Sequence, residues 1–531
     1  MDRWLGGWLG GWNNRTLAKP PGYSIYLSFA HFIPIQLSVL NQLLYLAAVY
    51  VLIQKLKKIL PVKFKFKELF FLLTFNFLIF QPFLFASESN RIYRSSVPIV
   101  VFTLLYSIIL MSLLHKIMNE NSLSVDSFKK RRSIYFDLVG LSLVYGIMSL
   151  FRYESFWIIL CSVPALVAAF ATRWNKSRPI HKRGKGFLRL LLPIPLILLI
   201  AYSAPVLTVQ ELNRSVYGVP LTENYYQGSF SEAINLWSSV DVNRDPRPYV
   251  VVSAQQRNAV YEVSRNALLM KPFLESPDNG WNKPACDILK LCDNPGAWFT
   301  WQVRDASVST GMVYSERTFQ NFFKEIARDI QKACDVSSFK CTKKSNIVGS
   351  KPLGELPLNR MIEYSLSNLK TLLPFKSDGV NSIAIPDTFG APGDVVEMYH
   401  EVVHYERASS FDEKRIKSIS KIMGNINYIY IFLNILYFLL GIIGTAIGFI
   451  RNFNPDLKFT ALFLIGGVIS QLIGASIAQI SFGTSPGSQL YLLSAYPMLH
   501  MLCLLGLIGI LAQFSKKEAH PLASIPKRGE I

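Results

Sequence analysis

Charge is scarce in this chain, and acidic charge scarcest of all. Asp, Glu, Lys and Arg make up 17% of the 531 residues while half are hydrophobic, a balance too apolar for a soluble globule and too charged for a chain that is all membrane. A bundle of membrane helices joined to an aqueous domain satisfies both limits. Asp and Glu number 35 against 55 Lys and Arg, and Asp2 is the only acidic residue before Glu68. Titratable groups are also missing from the middles of the long apolar runs. Asp137 lies about one turn inside an end of its run, and Asn76, Gln471, Gln479 and His500 are uncharged or can be. A transporter needs ion-coordinating or titratable groups near the midplane, so lipid or solute transport stands as the third reading. A basic stretch followed by an apolar one is absent from the start, which excludes a recognisable signal peptide there.

What the chain does have is apolar runs of membrane length. They fall at roughly 36–54, 68–85, 97–115, 133–150, 156–172, 187–208, 427–450, 459–480 and 489–513, near the ~17–25 residues a helix needs to cross hydrocarbon. Phe151-Arg152-Tyr153-Glu154-Ser155 is a charged step between two of them, so Arg152 and Glu154 belong at a membrane face, on a turn too short to leave it. The stretches Lys55 to Lys67, Lys129 to Arg132 and Arg173 to Arg189 are strongly basic and belong in the cytoplasm by the positive-inside rule. That placement accounts for a net charge of +20 without invoking nucleic acid. Parity then puts the 1–35 segment, the 86–96 loop, the Arg152/Glu154 turn, the 209–426 block and the 481–488 turn on the opposite side. The expected fold is an α-helical polytopic membrane protein of about nine transmembrane helices. It has an outer-face N-terminal segment (1–35), a transmembrane bundle of about six helices (36–208), an extracytoplasmic domain (209–426) inserted between the sixth and seventh spans, a second bundle of about three helices (427–513) and a cytoplasmic tail (514–531).

The outer block reads as a mainly helical α+β domain. Phe319, Phe322, Phe323, Ile326, Ala327 and Ile330 recur at the spacing of an amphipathic helix that buries one face. Phe230 to Val240 predicts another helix, opened by Ser229 or Ser231, and Pro248 to Val252 a short strand. The 342–392 stretch is more irregular, with one helix near 359–373. Cys286 with Cys292, and Cys334 with Cys341, form close pairs here, whereas Cys161 and Cys503 lie inside spans. Two local disulfides in an oxidising compartment are the natural reading, and zinc binding is the alternative. Trp298, Phe299, Trp301, Arg304 and Asp305, with Arg257 and Tyr261 elsewhere in the block, admit two readings: a sugar site of stacking rings and hydrogen-bonding charges, or a core corner with a buried ion pair.

The N-terminus repeats Trp4-Leu5-Gly6-Gly7 and Trp8-Leu9-Gly10-Gly11 before Trp12, which reads as an interfacial aromatic anchor. The run Gly7 to Asn13, then Thr16-Leu17-Ala18-Lys19-Pro20-Pro21-Gly22-Tyr23 leading into Tyr26-Leu27, resembles the first outer loop of a C-type (GT-C) membrane glycosyltransferase-like protein. So do Arg91-Ile92-Tyr93-Arg94, Arg152-Tyr153-Glu154, and Tyr491 to Pro497, in the same order along the membrane portion. The resemblance implies transfer of a sugar from a polyprenyl-phosphate donor to a glycan, lipid or protein acceptor at the outer face. On that implication Lys19, Arg91, Arg94 and Arg152 would grip the lipid phosphate, Arg being suited to a bidentate hold. Trp301, Arg304 and Asp305 would meet sugar, and Glu154 would orient Arg152 or act on a hydroxyl. The same charges could instead snorkel or close a turn. The resemblance also calls for an acidic residue in the first outer loop, as a base or as the holder of a divalent cation. Asp2 is the only carboxylate at hand, and the expectation is that an upstream span carrying an acidic pair is missing.

A competing motif is His400-Glu401-Val402-Val403-His404, a literal H-E-x-x-H in which i, i+4 histidines would hold zinc with Glu401 as base. The continuation Tyr405-Glu406-Arg407 lacks the metzincin extension and no third ligand falls at a recognised spacing. A membrane-anchored zinc metallopeptidase is therefore the alternative function, and a plain amphipathic helix the alternative structure.

Overall fold

The computed structural model describes residues 12–59, 66–85, 97–119, 128–152, 156–176, 193–287, 293–342, 349–373, 410–487 and 491–518. In chain order the helices are α1 (Gly22–His31), α2 (Leu37–Ile59), α3 (Lys67–Ile79), α4 (Val97–Asn119), α5 (Phe128–Phe151), α6 (Phe156–Lys176) and α7 (Pro193–Tyr217). Then come α8 (Gly228–Ser239), α9 (Ala254–Val263), α10 (Arg265–Leu274), α11 (Asn282–Asp287), α12 (Gly296–Ser309), α13 (Glu316–Asp335) and α14 (Leu358–Leu372), and last α15 (Ser410–Ile447), α16 (Pro455–Phe482) and α17 (Ala495–Glu518). The chain forms two compact units. The first comprises Met1–Ile33, Ala204–Leu369 and Leu472–Ser488, and the second Pro34–Ser203, Lys370–Gln471 and Gln489–Ile531.

Among the described residues six helices are long and apolar enough to cross a membrane: Leu37–Ile59, Val97–Met118, Arg132–Phe151, Phe156–Arg173, Gly424–Arg451 and Pro455–Phe482. They match six of the nine runs expected from sequence. The run at 68–85 is instead the 13-residue α3 followed by a 3₁₀ turn, Pro82–Phe85. A helix that short rises about 20 Å, less than the ~30 Å of hydrocarbon. The last run gives a shorter apolar stretch, Ala495–Leu511, and the 187–208 run enters the described residues only at Pro193.

In the second unit, close helix packing rests on glycine. A side chain on Gly506 would collide with the carbonyl of Gly441, and one on Gly444 with the carbonyl of Gly506, so α15 and α17 meet backbone to backbone. Small residues allow such approach where lipid supplies no hydrophobic drive for association. Hydroxyls are satisfied locally: Thr103 donates to the Ile99 carbonyl at 2.8 Å and Thr445 to the Gly441 carbonyl at 2.8 Å. Large apolar side chains such as Leu73, Phe136, Val167 and Phe432 are exposed, as lipid contact requires.

The first unit has an aromatic core. Phe319, Phe322, Phe323, Ile326, Ala327 and Ile330 on α13 are all buried, as their spacing predicts, and α13 starts in a capping box of Ser315 and Thr318. Phe230, Ile234 and Trp237 of α8 join the same core. Neither Ser229 nor Ser231 caps α8. The helix begins at Gly228, whose φ of 77° makes the entry turn, and the Ser229 amide donates to Gln320 Oε1 at 2.7 Å. The expected strand at 248–252 is an irregular segment, and among the described residues the only β pairing is one isolated antiparallel bridge, Val240 with Cys341. Val250, Val251 and Val252 are buried without a partner strand, and β-branched residues favour a strand only when one is available to pack on. Cys334 and Cys341 form a disulfide with Cα atoms 5.7 Å apart, whereas the pairing of Cys286 with Cys292 lies outside the described residues.

Candidate functional site

The site of the first unit starts from a loop that folds on itself. The Asn13 amide donates to Thr16 Oγ1 at 2.9 Å and the Arg15 amide to Asn13 Oδ1 at 2.9 Å, turns that Asn and Thr side chains favour. Thr16, Leu17 and Ala18 are buried by this folding, and the Leu17 carbonyl accepts the Asn224 amide at 2.7 Å. Helix α12 meets the loop with Trp301, Arg304 and Asp305, which share a face at i, i+3 and i+4. Asp305 Oδ1 accepts from Asn14 Nδ2 at 2.6 Å, its Oδ2 accepts from Trp281 Nε1 at 2.8 Å, and Arg15 lies 3.8 Å away.

Arg304 is wholly buried. Its guanidinium donates to the Asn14 carbonyl at 3.0 Å and to the Asn224 side chain, and its central carbon lies 4.1 Å from the Phe230 ring centre and 5.3 Å from that of Phe319. Glu316, also buried, accepts from Trp12, Asn224 and Gln320, each at 2.9 Å. Burial pulls the Arg304 guanidinium down to about 10, against the opposing field of Glu316. Arg304 thus clamps the N-terminal loop to the core.

Lys19 is half-buried, with its ammonium 4.7 Å from the Tyr225 ring centre and 5.2 Å from that of Trp301. Arg15 lies 5.8 Å from the same Trp301 ring. Below exposed level sits Glu223, which accepts the Tyr225 amide at 2.5 Å and the Tyr226 amide at 2.9 Å. Burial pushes its carboxyl up to about 7, against the pull of those amides and of Arg304 and Lys19. Two cations over aromatic rings, beside a carboxyl that changes charge near neutrality, can bind an anion through the ammonium and a sugar face through Trp301.

The structure therefore gathers Lys19, Trp301, Arg304 and Asp305. Arg257 and Tyr261 belong to another network: Arg257 pairs with Glu275 at 2.7 Å and Asp293 at 3.0 Å, and the Tyr261 hydroxyl donates to Glu275 at 2.7 Å. Burial alone would lower Arg257, but the two carboxylates outweigh it and hold it raised. In the second unit Arg152 is buried at the end of α5, its amide donating to the Met148 carbonyl at 2.9 Å and its guanidinium 5.8 Å from the Tyr491 ring centre. Both residues come from stretches that carry the glycosyltransferase resemblance. Asp2, Arg91, Arg94, Glu154, His400, Glu401 and His404 lie outside the described residues. No group of three or more His, Cys, Asp or Glu able to hold a metal occurs among the described residues.

Sequence reasoning missed Asn14, Arg15, Glu223, Tyr225 and Trp281. Only Glu223 and Tyr225 carry a signal, and it is faint: Thr222-Glu223-Asn224-Tyr225-Tyr226 sets one acid among aromatics in a stretch with no helical or strand period. No family model, no curated protein and no solved structure matches the chain.

Proposed function

We propose that the chain is a GT-C-like membrane glycosyltransferase, or an inactive relative of one, that takes a sugar from a polyprenyl-phosphate donor at the outer membrane face. The observation that carries this reading is Lys19 held against Tyr225 and Trp301 beside Asp305 and Glu223. A lipid-linked sugar phosphate presents one anionic group and one apolar ring face, and a cation among aromatic rings complements both. Arg152, stacked near Tyr491, is the second phosphate candidate. Glu223 acts by setting the field at Lys19, and the catalytic carboxylate remains with Asp2 or Glu154, where the resemblance puts it. The finer topology belongs to the same reading: nine spans, with the 209–426 domain outside the cytoplasm.

Donor binding in reconstituted vesicles tests the site. Losing the ammonium's charge-assisted hold on the phosphate, or the ring that the sugar face would meet, removes about 1–2 kcal/mol and predicts that Lys19→Ala and Trp301→Ala each weaken donor binding about tenfold. Arg152→Lys should weaken it as well, because the planar fork is lost. Unchanged donor binding in both Lys19→Ala and Trp301→Ala would refute the assignment. For topology, Met312 is exposed at the end of α12. Met312→Cys should react with an impermeant maleimide in intact cells, and labelling only after lysis would place the domain inside.

A further inference from the structure

Two short helices of the first unit carry exposed apolar stripes. On α1, Ile25, Phe29 and Phe32 stand at i, i+4 and i+7, with Phe32 83% exposed, while Tyr23, Leu27 and Ala30 of the same helix are buried. On α14, Leu358, Ile362 and Leu366 stand at i, i+4 and i+8, with Leu358 69% exposed. Helix α14 has three sectors rather than two. One faces protein, where Asn368 donates to Ser476 Oγ at 3.1 Å and Gln479 Oε1 at 2.9 Å and accepts the Gly487 amide at 2.8 Å. The second is the aliphatic stripe. The third is polar and exposed: Asn359, Arg360, Glu363 and Lys370.

A helix in water has no use for the second sector, and a spanning helix none for the third. Together they describe a helix lying along an apolar–water boundary. Its position relative to such a boundary is set by its partners, because Ser476 and Gln479 belong to the last turns of α16, one of the helices long and apolar enough to cross a membrane. Helix α1 is followed in sequence by only five residues before the next apolar helix begins at Leu37.

We propose that α1 and α14 lie in the membrane–water interface, with Ile25, Phe29, Phe32, Leu358, Ile362 and Leu366 against lipid acyl chains and with Arg360 and Lys370 at headgroup level. The partner of this surface is the lipid bilayer itself, and the proposal stands apart from the sugar-transfer reading. It seats the first unit on the membrane by two in-plane contacts besides its covalent links.

Full-length protein in nanodiscs of phosphatidylcholine and phosphatidylglycerol provides the test. In a Cys161→Ser, Cys503→Ser background, an environment-sensitive fluorophore is placed at Phe29→Cys, Leu358→Cys, Ile362→Cys or Glu363→Cys. The first three should be quenched by doxyl-labelled lipid about threefold more than Glu363→Cys, which should respond to aqueous iodide instead. Wild-type protein with a phospholipid carrying an acyl-chain diazirine gives a readout that needs no variant. Photolysis should place adducts on Ile362, Leu366 or Phe29. Equal iodide access at Ile362→Cys and Glu363→Cys without adducts on either helix would overturn the proposal. So would efficient cross-linking of Ile362→Cys between two chains with no lipid adducts, which would make the surface a contact between copies.

Discussion

The two units treat buried polarity in opposite ways. In the first, the deepest residues include Arg304 and Glu316, and their bonds join segments far apart in sequence: Arg304 to Asn14, Glu316 to Trp12 and to Asn224. In the second, buried hydroxyls mostly turn back to the carbonyl one turn earlier, and close contacts fall to glycine. Among the second unit's described residues the ion pairs His115 with Asp456, Lys116 with Asp137 and Lys57 with Glu68 each include a residue near a helix end. A chain facing lipid must satisfy its polar atoms within the protein, locally or across helices as Gln81 does with Asn434, because no water backs up a missed partner. A chain facing water can spend a buried charge on register, and the first unit uses Arg304 to fix where the N-terminal loop docks.

The largest effect that tests this contrast is Arg304→Ala. It leaves Asn14, Asn224 and Glu316 without their central cation, and breaking such a cluster costs about 3–5 kcal/mol. The expected outcome is loss of protease resistance in the first unit with the helicity of the second kept. Arg304→Lys should not rescue it, since the Asn14 carbonyl and the Asn224 side chain are held by two separate nitrogens of a planar fork that a compact ammonium lacks. An Arg304→Ala protein as stable as wild type would dissolve the contrast.

Glu223 gives the next effect. Its folded value of about 7 exceeds the ordinary 4.5, so the folded state holds the proton more tightly than the unfolded state. Stability is then greatest below the unfolded value and falls as pH rises between roughly 4.5 and 7, by an amount of order 3 kcal/mol. Glu275 and Asp245 are lowered by their arginines and act in the opposite sense, but only as pH drops below the ordinary carboxylate range. Thermal melts between about pH 5 and pH 8 should therefore show wild type losing stability upward and Glu223→Gln staying flat. Equal slopes in the two proteins would mean that Glu223 is not the group responsible.

What the sequence made legible follows the same divide. Apolar length picked out the six helices that are long and apolar enough to cross a membrane, and the stripe from Phe319 to Ile330 identified the buried face of α13, because both signals are local. The strand at 248–252 misled, since three consecutive valines look the same whether they pair with a strand or plug a helical core. Trp301, Arg304 and Asp305 stood out by residue type, as aromatics clustered with an Arg and an Asp. Asn224 and Asn14 did not, because their roles depend on contacts with Arg304 across 80 and 290 positions that no local pattern encodes. The three sectors of α14 were legible in principle, but their meaning needs the hydrogen bonds from Asn368 to α16.

Gly506→Ala sharpens the comparison from the other side. Its new methyl would strike the Gly441 carbonyl, which belongs to a helix backbone and cannot rotate away. Overpacking of this kind costs about 1–3 kcal/mol, and a backbone obstacle puts it toward the upper part of that range. The melt of the second unit in detergent should fall while the first unit keeps its protease resistance. A similar loss from Ala at Gly424, on the helix that holds Gly441 but where a side chain would meet nothing, would show that glycine matters here through the chain and not through packing.

The smallest effect concerns the bond between Cys334 and Cys341, whose separation of 7 residues closes only a short loop. Loop-closure entropy for so few residues gives about 2 kcal/mol, less than a longer bridge would supply. Replacing both cysteines with Ala should lower the first unit's stability by that amount, and reductant should produce the same drop in wild type with no further effect on the double variant. The bond also bears on topology. Disulfides persist in oxidising compartments and are rare in the cytosol, so cells lysed into alkylating agent without reductant should yield unmodified Cys334 and Cys341 if the domain is outside. Their complete alkylation under those conditions would place α13 on the reducing side of the membrane and reverse the assignment drawn from the basic loops.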